Sequence, residues 1–404
     1  MKIRAITLGL DARWPDPASD VADAAYFARA AADRFEAAGY EVQTVRLAYS
    51  PLAERIPDGD PGLLRQAARE IDAAASDAGV PFVSIGPVRW SHLGAAAAPL
   101  AAAVPDVIAA TSNISASIET AAGGRLIGPA AEAAGAAIAA LAARTADGFG
   151  NFRFGAIAQC PGGIPFFPAA YHGGGQQSFA LGLQAADLAR LAYATPGSLD
   201  DVAASLLDRL APPLNEIDSI AESLATEHGI AYGGADLTPA PFPTDDESSA
   251  GILEDIGVDA VGAAGSLSAA AIMTRLLKDL PFKKVGFSGL MLPVLEDSVL
   301  AARSRQGLLT WPELLLWSAV CGTGLDTVPL PGDTSAAELA GIALDVATLA
   351  VAMNKPLTCR LLPVPGKRAG EITEYDFPYF SNARILDVSG HGAGRLFDRL
   401  RGPA

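Results

Sequence analysis

Alanine-rich helical stretches that alternate with short β-rich runs constrain the fold of this 404-residue chain most strongly. In "YFARAAADRFEAAGYEVQTVRLA", apolar positions recur at helical spacing, Gly39 ends the helix, and a strand follows. The stretches "IDAAASDAGVPFVSIGPV" and "LAAAVPDVIAATSNIS" repeat this order. Helices that alternate with strands in this way predict a layered α/β fold with substantial parallel strand pairing.

Ten segments are predicted to form strands. They are "IRAITLGL", "EVQTVRLA", "FVSIGPV", "DVIAATS", "FRFGAIAQ", "SFALGLQ", "IAYGGADL", "KVGFSGLMLPV", "GLDTVPLPG" and "TCRLLPVPG". No low-complexity linker separates them, so the sequence predicts a single domain over residues 1–404. The segments "APPLNEIDS" and "LTPAPFPTDDESS" are the best candidates for hinges or site loops.

Charge and composition narrow the class of partner. The chain has 45 acidic and 29 basic residues, a net charge of −16, and no basic cluster, which disfavours nucleic acid and anionic membranes. Pro99 and Pro105 interrupt the run "GAAAAPLAAAVPDVIAA" too early for a membrane span of about 20 residues. The first residues lack the long apolar core of a secretory signal. We therefore expect a cytoplasmic protein with no membrane partner.

The three cysteines, Cys160, Cys321 and Cys359, lie far apart in the sequence. An odd count without a CxxC pair fits neither a disulfide scaffold nor a zinc cluster. Cys321 precedes the glycine-rich turn of "CGTGLDTVPLPGDT", a position where a thiol can be presented to a substrate as a nucleophile. A buried cysteine of the core accounts for the same pattern equally well.

The segment "FRFGAIAQCPGGIPFFPAAYHGGGQQ" begins as an apolar strand and continues into a loop rich in proline and glycine. His172 in this loop is the candidate general base or proton shuttle. The backbone N–H groups of Gly173, Gly174 and Gly175 could bind an anion beside it. The glycine triplet matches neither the P-loop nor the dinucleotide-binding pattern, so no nucleotide cofactor is predicted.

Paired carboxylates follow the segment "KVGFSGLMLPVLEDSVLA", where Glu296 and Asp297 could bind a cation or orient a substrate. The structural alternative is that they lie in the first turn of a helix, where acidic residues are favourable. Further candidates for substrate binding are Ser112, Asn113, Ser288, Gly289, Lys367 and Arg368. The candidate ligands for a divalent cation are Glu296, Asp297, Asp326 and Asp333.

Four segments together resemble an uncharacterised family of bacteria and archaea, the seven-hundred-and-eleven domain-of-unknown-function family. They are "FRFGAIAQCPGGIPFFPAAYH", "GFSGLMLPVLEDSVLA", "CGTGLDTVPLPGDT" and "NKPLTCRLLPVPGKRAGEITEYDFPYF". The family is grouped structurally with the pyruvate formate-lyase-like glycyl radical enzymes, so the resemblance implies a ten-stranded α/β barrel. Val388-Ser389-Gly390 is faintly similar to a radical loop, although Asp387 and His391 stand where an arginine and an aromatic residue are expected.

The sequence therefore predicts a non-radical enzyme that acts on a small polar carboxylic acid or amino acid. The reaction is proton transfer at carbon, typical of a lyase or isomerase, with His172 as proton shuttle and Cys321 as nucleophile or second acid/base. Glu296 and Asp297 are expected to orient the substrate or bind a divalent cation. The alternatives are a metabolic regulator that binds the same ligand without turnover and, third, a glycyl radical enzyme. We also expect a homo-oligomer.

Overall fold

The computed structural model describes residues 1–388 and 392–400. The strands are β1 (Lys2–Leu10), β2 (Val45–Tyr49), β3 (Phe82–Val88), β4 (Ile114–Ala122), β5 (Arg125–Leu126), β6 (Phe154–Ala158), β7 (Ser178–Gln184), β8 (Ala231–Asp236), β9 (Gly324–Pro331) and β10 (Leu357–Val364). The helices are α1 (Val21–Ala37), α2 (Pro61–Asp77), α3 (Trp90–Leu93), α4 (Ala97–Ala109), α5 (Gly128–Arg144), α6 (Ala186–Tyr193), α7 (Leu199–His228), α8 (Ser249–Asp255), α9 (Ser266–Asp279), α10 (Ser298–Arg305), α11 (Trp311–Ser318), α12 (Ala336–Met353) and α13 (Gly394–Leu400).

All ten strands belong to one mixed sheet with the order β8-β7-β1-β2-β3-β4-β6-β10-β9, and β5 pairs only with β4. Strands β1, β2, β3, β4 and β6 form one parallel block. The pairs β7–β8 and β9–β10 are each parallel. The first pair joins the block through the antiparallel contact of β7 with β1, and the second through the antiparallel contact of β10 with β6. The predicted α/β class and its parallel pairing are confirmed.

The sheet is open, with β8 and β9 as its edge strands, so the closed barrel that we expected is not formed by strand pairing. The connection between α9 and α10 lies near both edges. Lys284 forms a single parallel bridge with Ala235 of β8, and Pro293 forms one with Asp326 of β9. Two isolated bridges do not make a strand, because prolines and glycines interrupt this connection.

Helices cover one face of the sheet and leave the opposite face to line the interior. Neighbouring helices pack in the order α12, α5, α4, α2, α1, α7 and α6. Because side chains alternate across a strand, β2 directs Leu47 and Arg46 to opposite faces. Leu47 belongs to the hydrophobic core, whereas Arg46 lines an interior cavity.

The structure differs from the predicted elements in three segments. Most of "DVIAATS" lies in α4, which continues through Pro105 to Ala109, and the strand is the following β4. The hinge candidate "APPLNEIDS" lies inside the continuous helix α7, which contains Pro212 and Pro213. The segment "KVGFSGLMLPV" is irregular, as described above.

Two helical stretches, Trp90–Ala109 and Ala336–Met353, are apolar and long enough to cross a membrane by those two criteria alone. In α12, the second of them, Leu339, Ile342 and Val346 are buried. This helix packs against α5 and against the sheet. Core packing therefore accounts for its apolar composition, and the two stretches are weak evidence for a membrane span.

Candidate functional site

Four arginines approach one another on the inner face of the sheet. Arg4 lies on β1, Arg46 on β2 and Arg360 on β10, and Arg153 precedes β6. They line a cavity of about 60 Å³, here called the arginine cavity, together with Glu296, Asp326 and Tyr379. A volume of this size holds a few water molecules or a small ligand. Phe82, Phe152, Phe166 and Phe167 also line it, so the cavity combines charged groups with apolar walls.

Two carboxylates join two of these arginines into a buried network. Glu296 accepts hydrogen bonds from Arg4 at 3.0 Å and from Arg360 at 2.6 Å. Asp326 accepts one from Nε of Arg360 at 2.5 Å. Burial raises the pKa of Asp326; Arg360 opposes this effect, and Glu296 reinforces it. The network holds Glu296 and Asp326 apart by placing one guanidinium between them.

Aromatic rings support the guanidinium groups. Arg360 lies over Phe152 at 5.0 Å from the ring centroid, and Arg4 lies over Tyr379 at 5.9 Å. The ring faces carry partial negative charge and attract the cations, which are thereby held in fixed orientations. The cavity is consequently a preorganised site.

Arg46 has a different environment from Arg4 and Arg360. Its Nε donates to Thr44 at 2.8 Å, and its guanidinium contacts the adjacent rings of Phe82 and Phe167 at 5.2 and 5.4 Å from their centroids. Burial, followed by repulsion from Arg4, lowers the pKa of Arg46 to about 9, so the group stays cationic at pH 7. Within residues 1–388 and 392–400, no carboxylate forms an ion pair with it.

Within the described residues, Arg153 donates to the carbonyls of Ile108 at 2.7 Å and Ile114 at 2.9 Å and to the Thr111 hydroxyl. Burial lowers the pKa of Arg153, and the negative charge of Asp72 opposes that effect. Four guanidinium groups against two carboxylates leave two positive charges in the cavity lining. A buried positive charge without a counter-ion is unfavourable. The arrangement is therefore suited to a small ligand with two negative charges.

The loop between β6 and β7 forms one wall of this cavity through Phe166 and Phe167. Thr7 Oγ1 donates to the carbonyl of Pro165 at 2.8 Å and fixes the loop to β1. Gly182 of β7 lies beneath Phe166, where an added Cβ would come within 2.9 Å of the ring. The proline and glycine content of this loop thus lets it pass closely over the strands.

The predicted catalytic residues are not brought together. Glu296 lines the arginine cavity, and His172 lines two other cavities near the opposite end of β1. Cys321 is buried in the core, and its carbonyl accepts a hydrogen bond from Lys355. Asp297 is fully buried as the N-cap of α10, where it accepts from Ser248, Ala250 and Leu300.

The predicted substrate-binding residues also occupy separate positions. The backbone N–H groups of Ser112 and Asn113 donate to Asp72, next to the start of β4. The amides of Ser288 and Gly289 are taken by Asp236 and Thr238. Gly173, Gly174 and Gly175 are exposed beside His172.

The basic pair Lys367 and Arg368 lies after β10. Lys367 forms an ion pair with Glu374, and the amide of Arg368 donates to Glu371. Neither residue lines the arginine cavity. The pair is thus held by neighbouring acidic residues of its own loop.

The candidate metal ligands do not form one centre. Asp326 and Glu296 both bind Arg360, Asp297 caps α10, and Asp333 is exposed after β9. The described residues contain no group of three or more histidine, cysteine or acidic side chains placed to hold a metal ion. Ser389, Gly390 and His391 of the radical-loop candidate lie outside the described residues.

Sequence reasoning missed the arginines that define the cavity. Each of the three strand arginines stands alone among apolar or small residues, in "IRAITLGL", "TVRLA" and "TCRLL". A charged residue inside a buried strand is rarely placed there unless it is paired or functional. That pattern was the signal available for Arg4, Arg46 and Arg360.

The open mixed sheet and its interior arginine cavity define an α/β protein with a cluster of charged side chains on one face of the sheet. The chain belongs to the family described as Uncharacterised ACR (DUF711), whose model matches residues 1–379. A UPF0210 protein of Desulforudis audaxviator is 33% identical over 379 residues, which cover 89% of this chain and 82% of that protein. A UPF0210 protein of Methanopyrus kandleri is 30% identical over 421 residues, covering 97% of this chain and 92% of the relative. The family that the sequence predicted is confirmed, and its grouping with glycyl radical enzymes stays a prediction.

Proposed function

We propose that this chain binds a small dicarboxylic acid in the arginine cavity and acts on it as a lyase or isomerase. The observation that carries the proposal is Arg46, a guanidinium that contacts two adjacent rings and has no carboxylate partner in the described chain. Guanidinium groups recognise carboxylates through two parallel hydrogen bonds. Arg46 therefore offers its terminal nitrogens to one carboxylate of the ligand.

The charge and size of the cavity set the class of ligand. The cavity lining has four guanidinium groups and two carboxylates, which favours a dianion, and a volume of about 60 Å³ favours a molecule with few carbons. The neighbouring Phe82, Phe166 and Phe167 restrict water, which strengthens the attraction between ligand and guanidinium. These features support a short dicarboxylate over a monocarboxylate or a bulky anion.

For the chemical step, Asp326 is the best candidate for proton transfer in this cavity, since His172 lies elsewhere. Burial raises the pKa of Asp326 and thereby makes it a stronger base once ionised. In the proposed step, its carboxylate takes a proton from the carbon next to a ligand carboxylate. The electron pair passes into that carboxylate to form an enediolate, which Arg46 stabilises.

The second candidate function is a metabolic regulator that binds the same ligand without turnover. The observation that favours it is the pairing of both cavity carboxylates with Arg360. A carboxylate held by a guanidinium is a weaker base than a free one. Both candidate functions require the ligand to bind. Only the lyase or isomerase should exchange a C–H proton of the ligand with solvent.

The interior position of the cavity also supports a barrel-like arrangement of the sheet. In this proposal, residues 284–294 act as a wall between β8 and β9, because their ends bridge to Ala235 and Asp326. We further propose that the protein is cytoplasmic and forms a homo-oligomer. Static light scattering of the purified chain would measure the number of subunits.

Isothermal titration calorimetry with malonate, succinate and malate tests the binding step, with propionate as the monoanionic comparison. We expect a dicarboxylate to bind to the wild type. Arg46→Met should weaken this binding about 10- to 100-fold, which corresponds to the free energy of a charge-assisted hydrogen bond. Arg275→Met is the matched control, because the side chain of Arg275 is 81% exposed. Equal affinity of wild type and Arg46→Met, or binding by no dicarboxylate, would contradict the proposal.

Proton NMR of the bound acid in D₂O tests the chemical step. Loss of the C–H signal next to a carboxylate, abolished by Asp326→Asn, is the expected result for a lyase or isomerase. Binding that is not accompanied by exchange would favour the regulator instead.

A further inference from the structure

A second cavity lies near the other end of β1. It has a volume of about 470 Å³ and shares no lining residue with the arginine cavity. Arg4 lines the first cavity and Leu10 lines the second. The two residues are six positions apart on β1, a separation of about 20 Å along the strand. We call it the acidic cavity after Asp11, Asp20 and Asp23 in its lining. The inference drawn from it does not depend on the proposed function.

Two buried polar atoms in this cavity lack a hydrogen-bond partner. His172 is only 4% exposed, and its Nε2 has none. Oδ1 of Asp11 has none either, and it lies 4.0 Å from His172 Nε2. Buried polar atoms are nearly always satisfied in folded proteins, so two orphans at this spacing indicate a missing polar group between them, which is a donor where His172 carries its proton on Nδ1.

The charges of the lining indicate the sign of that donor. Three aspartates face the single cation Arg13, which is already engaged by Asp20 at 3.0 Å. Two negative charges therefore remain. Phe27 and His228, whose rings meet edge to face at 5.2 Å, supply an aromatic wall next to them. Acceptors, negative charge and ring faces are the features that bind an organic ammonium group.

A bare metal ion fits these observations less well. In the described part of the chain, histidine, cysteine and acidic side chains nowhere gather in a group of three that could hold one. The cavity is also much larger than an ion, and it is bordered by the exposed, positive-φ residue Gly175. The space is that of a molecule with several carbon atoms.

We propose that the acidic cavity binds an organic amine, whose ammonium group donates hydrogen bonds to His172 Nε2 and Asp11 Oδ1. The loop between β6 and β7 supplies His172, and the backbone amide of His172 donates to Tyr49 O at 3.1 Å, which fixes the side chain relative to β2. The remaining acidic residues attract the cation, and Phe27 packs against its carbon chain.

Calorimetric titration of the full-length protein with 1,4-diaminobutane tests the proposal, with 1-butanol as the uncharged comparison and Mn²⁺ as the bare cation. We expect the diamine to bind and butanol not to bind. Asp11→Asn should weaken the diamine about 10- to 100-fold, because the neutral side chain keeps its shape and loses the charge-assisted bond. The side chain of Asp11 is 39% exposed, so this variant is expected to fold.

Asp33→Asn is the matched control, since Asp33 lies exposed on α1 outside the cavity, and it should bind the diamine like the wild type. His172→Phe should reduce diamine binding by a similar factor, with circular dichroism to verify folding. Arg46→Met should leave diamine binding unchanged, which separates this site from the arginine cavity. Unchanged affinity in Asp11→Asn, binding of Mn²⁺ but not the diamine, or no binding at all would overturn the proposal.

Discussion

At the scale of single residues, the neighbours Glu296 and Asp297 have opposite roles. Glu296 faces the arginine cavity, where two guanidinium groups bind it. Asp297 points away from that cavity and joins α10 to the start of α8 through Ser248 and Ala250. The sequence analysis predicted one functional role for the pair, but Glu296 ends a turn and Asp297 caps α10, so the two carboxylates point to different places.

Replacing Asp297 with alanine should therefore destabilise the protein without changing ligand affinity. The change removes a helix cap and leaves buried donors of Ser248 and Ala250 unsatisfied, which we expect to cost about 2–4 kcal/mol. Urea denaturation measures this free energy. Asp60→Ala is the control, because Asp60 caps α2 at an exposed end through Gly62, and it should cost only about 1 kcal/mol. A similar decrease in the free energy of unfolding in both variants would show that burial of the Asp297 cap does not increase its contribution to stability.

At the scale of elements, the contact between α5 and α12 depends on a helical glycine. A Cβ at Gly135 of α5 would lie 2.4 Å from the carbonyl oxygen of Ala336 and 2.5 Å from the amide of Ala340. Backbone atoms cannot move aside as a flexible side chain can. The two helices can approach this closely only because position 135 has no side chain.

Two glycine-to-alanine changes in these helices should thus have opposite effects. Gly135→Ala is expected to cost about 1–3 kcal/mol by overpacking. Gly341→Ala in α12 should stabilise by about 0.5–1 kcal/mol, because its new Cβ would meet Ala393 at an ordinary 3.6 Å while alanine favours the helix. Thermal and urea unfolding of both variants provide the measurement. Stabilisation by both changes would contradict the close contact at Gly135.

Much of the secondary structure could be predicted from the sequence. Helical periodicity and glycine stops predicted most helices and strands correctly, since these signals are local. The small-residue strand β4 was assigned one segment too early, because its serines and alanines carry little β preference. The partner of Asp326 could not be predicted, since Arg360 is 34 residues away and only the sheet brings the two together.

At the scale of the whole molecule, the net charge and the cavity charges act in different directions. The chain carries a net charge of −16, while the lining of the arginine cavity has two more basic than acidic groups and that of the acidic cavity two more acidic than basic groups. The overall field repels a dianion and attracts an amine before either reaches its site. Local contacts decide binding, and the overall field affects the rate of encounter.

Salt should consequently change the two association rates in opposite directions. Raising ionic strength from about 0.01 to 0.1 M shortens the screening length from about 30 to 10 Å, so the dicarboxylate should associate faster and the diamine more slowly. Stopped-flow measurements of wild type follow both rates. A small salt anion could compete with the dicarboxylate for the arginine cavity, so the measurement is repeated with a salt whose anion is too bulky to enter. Two rates that fall together with salt would contradict this electrostatic account.

The bond between Arg4 and Glu296 also has a consequence for synthesis on the ribosome. The two residues are 292 positions apart, and at about 5–20 residues per second the later one appears roughly 15–60 s after the first. Arg360, which completes the network, is made 64 residues later still. Throughout that interval the nascent chain holds a charged arginine on its first strand without its partners. The lining of the arginine cavity is therefore complete only after Arg360 has been synthesised and β10 has joined the sheet.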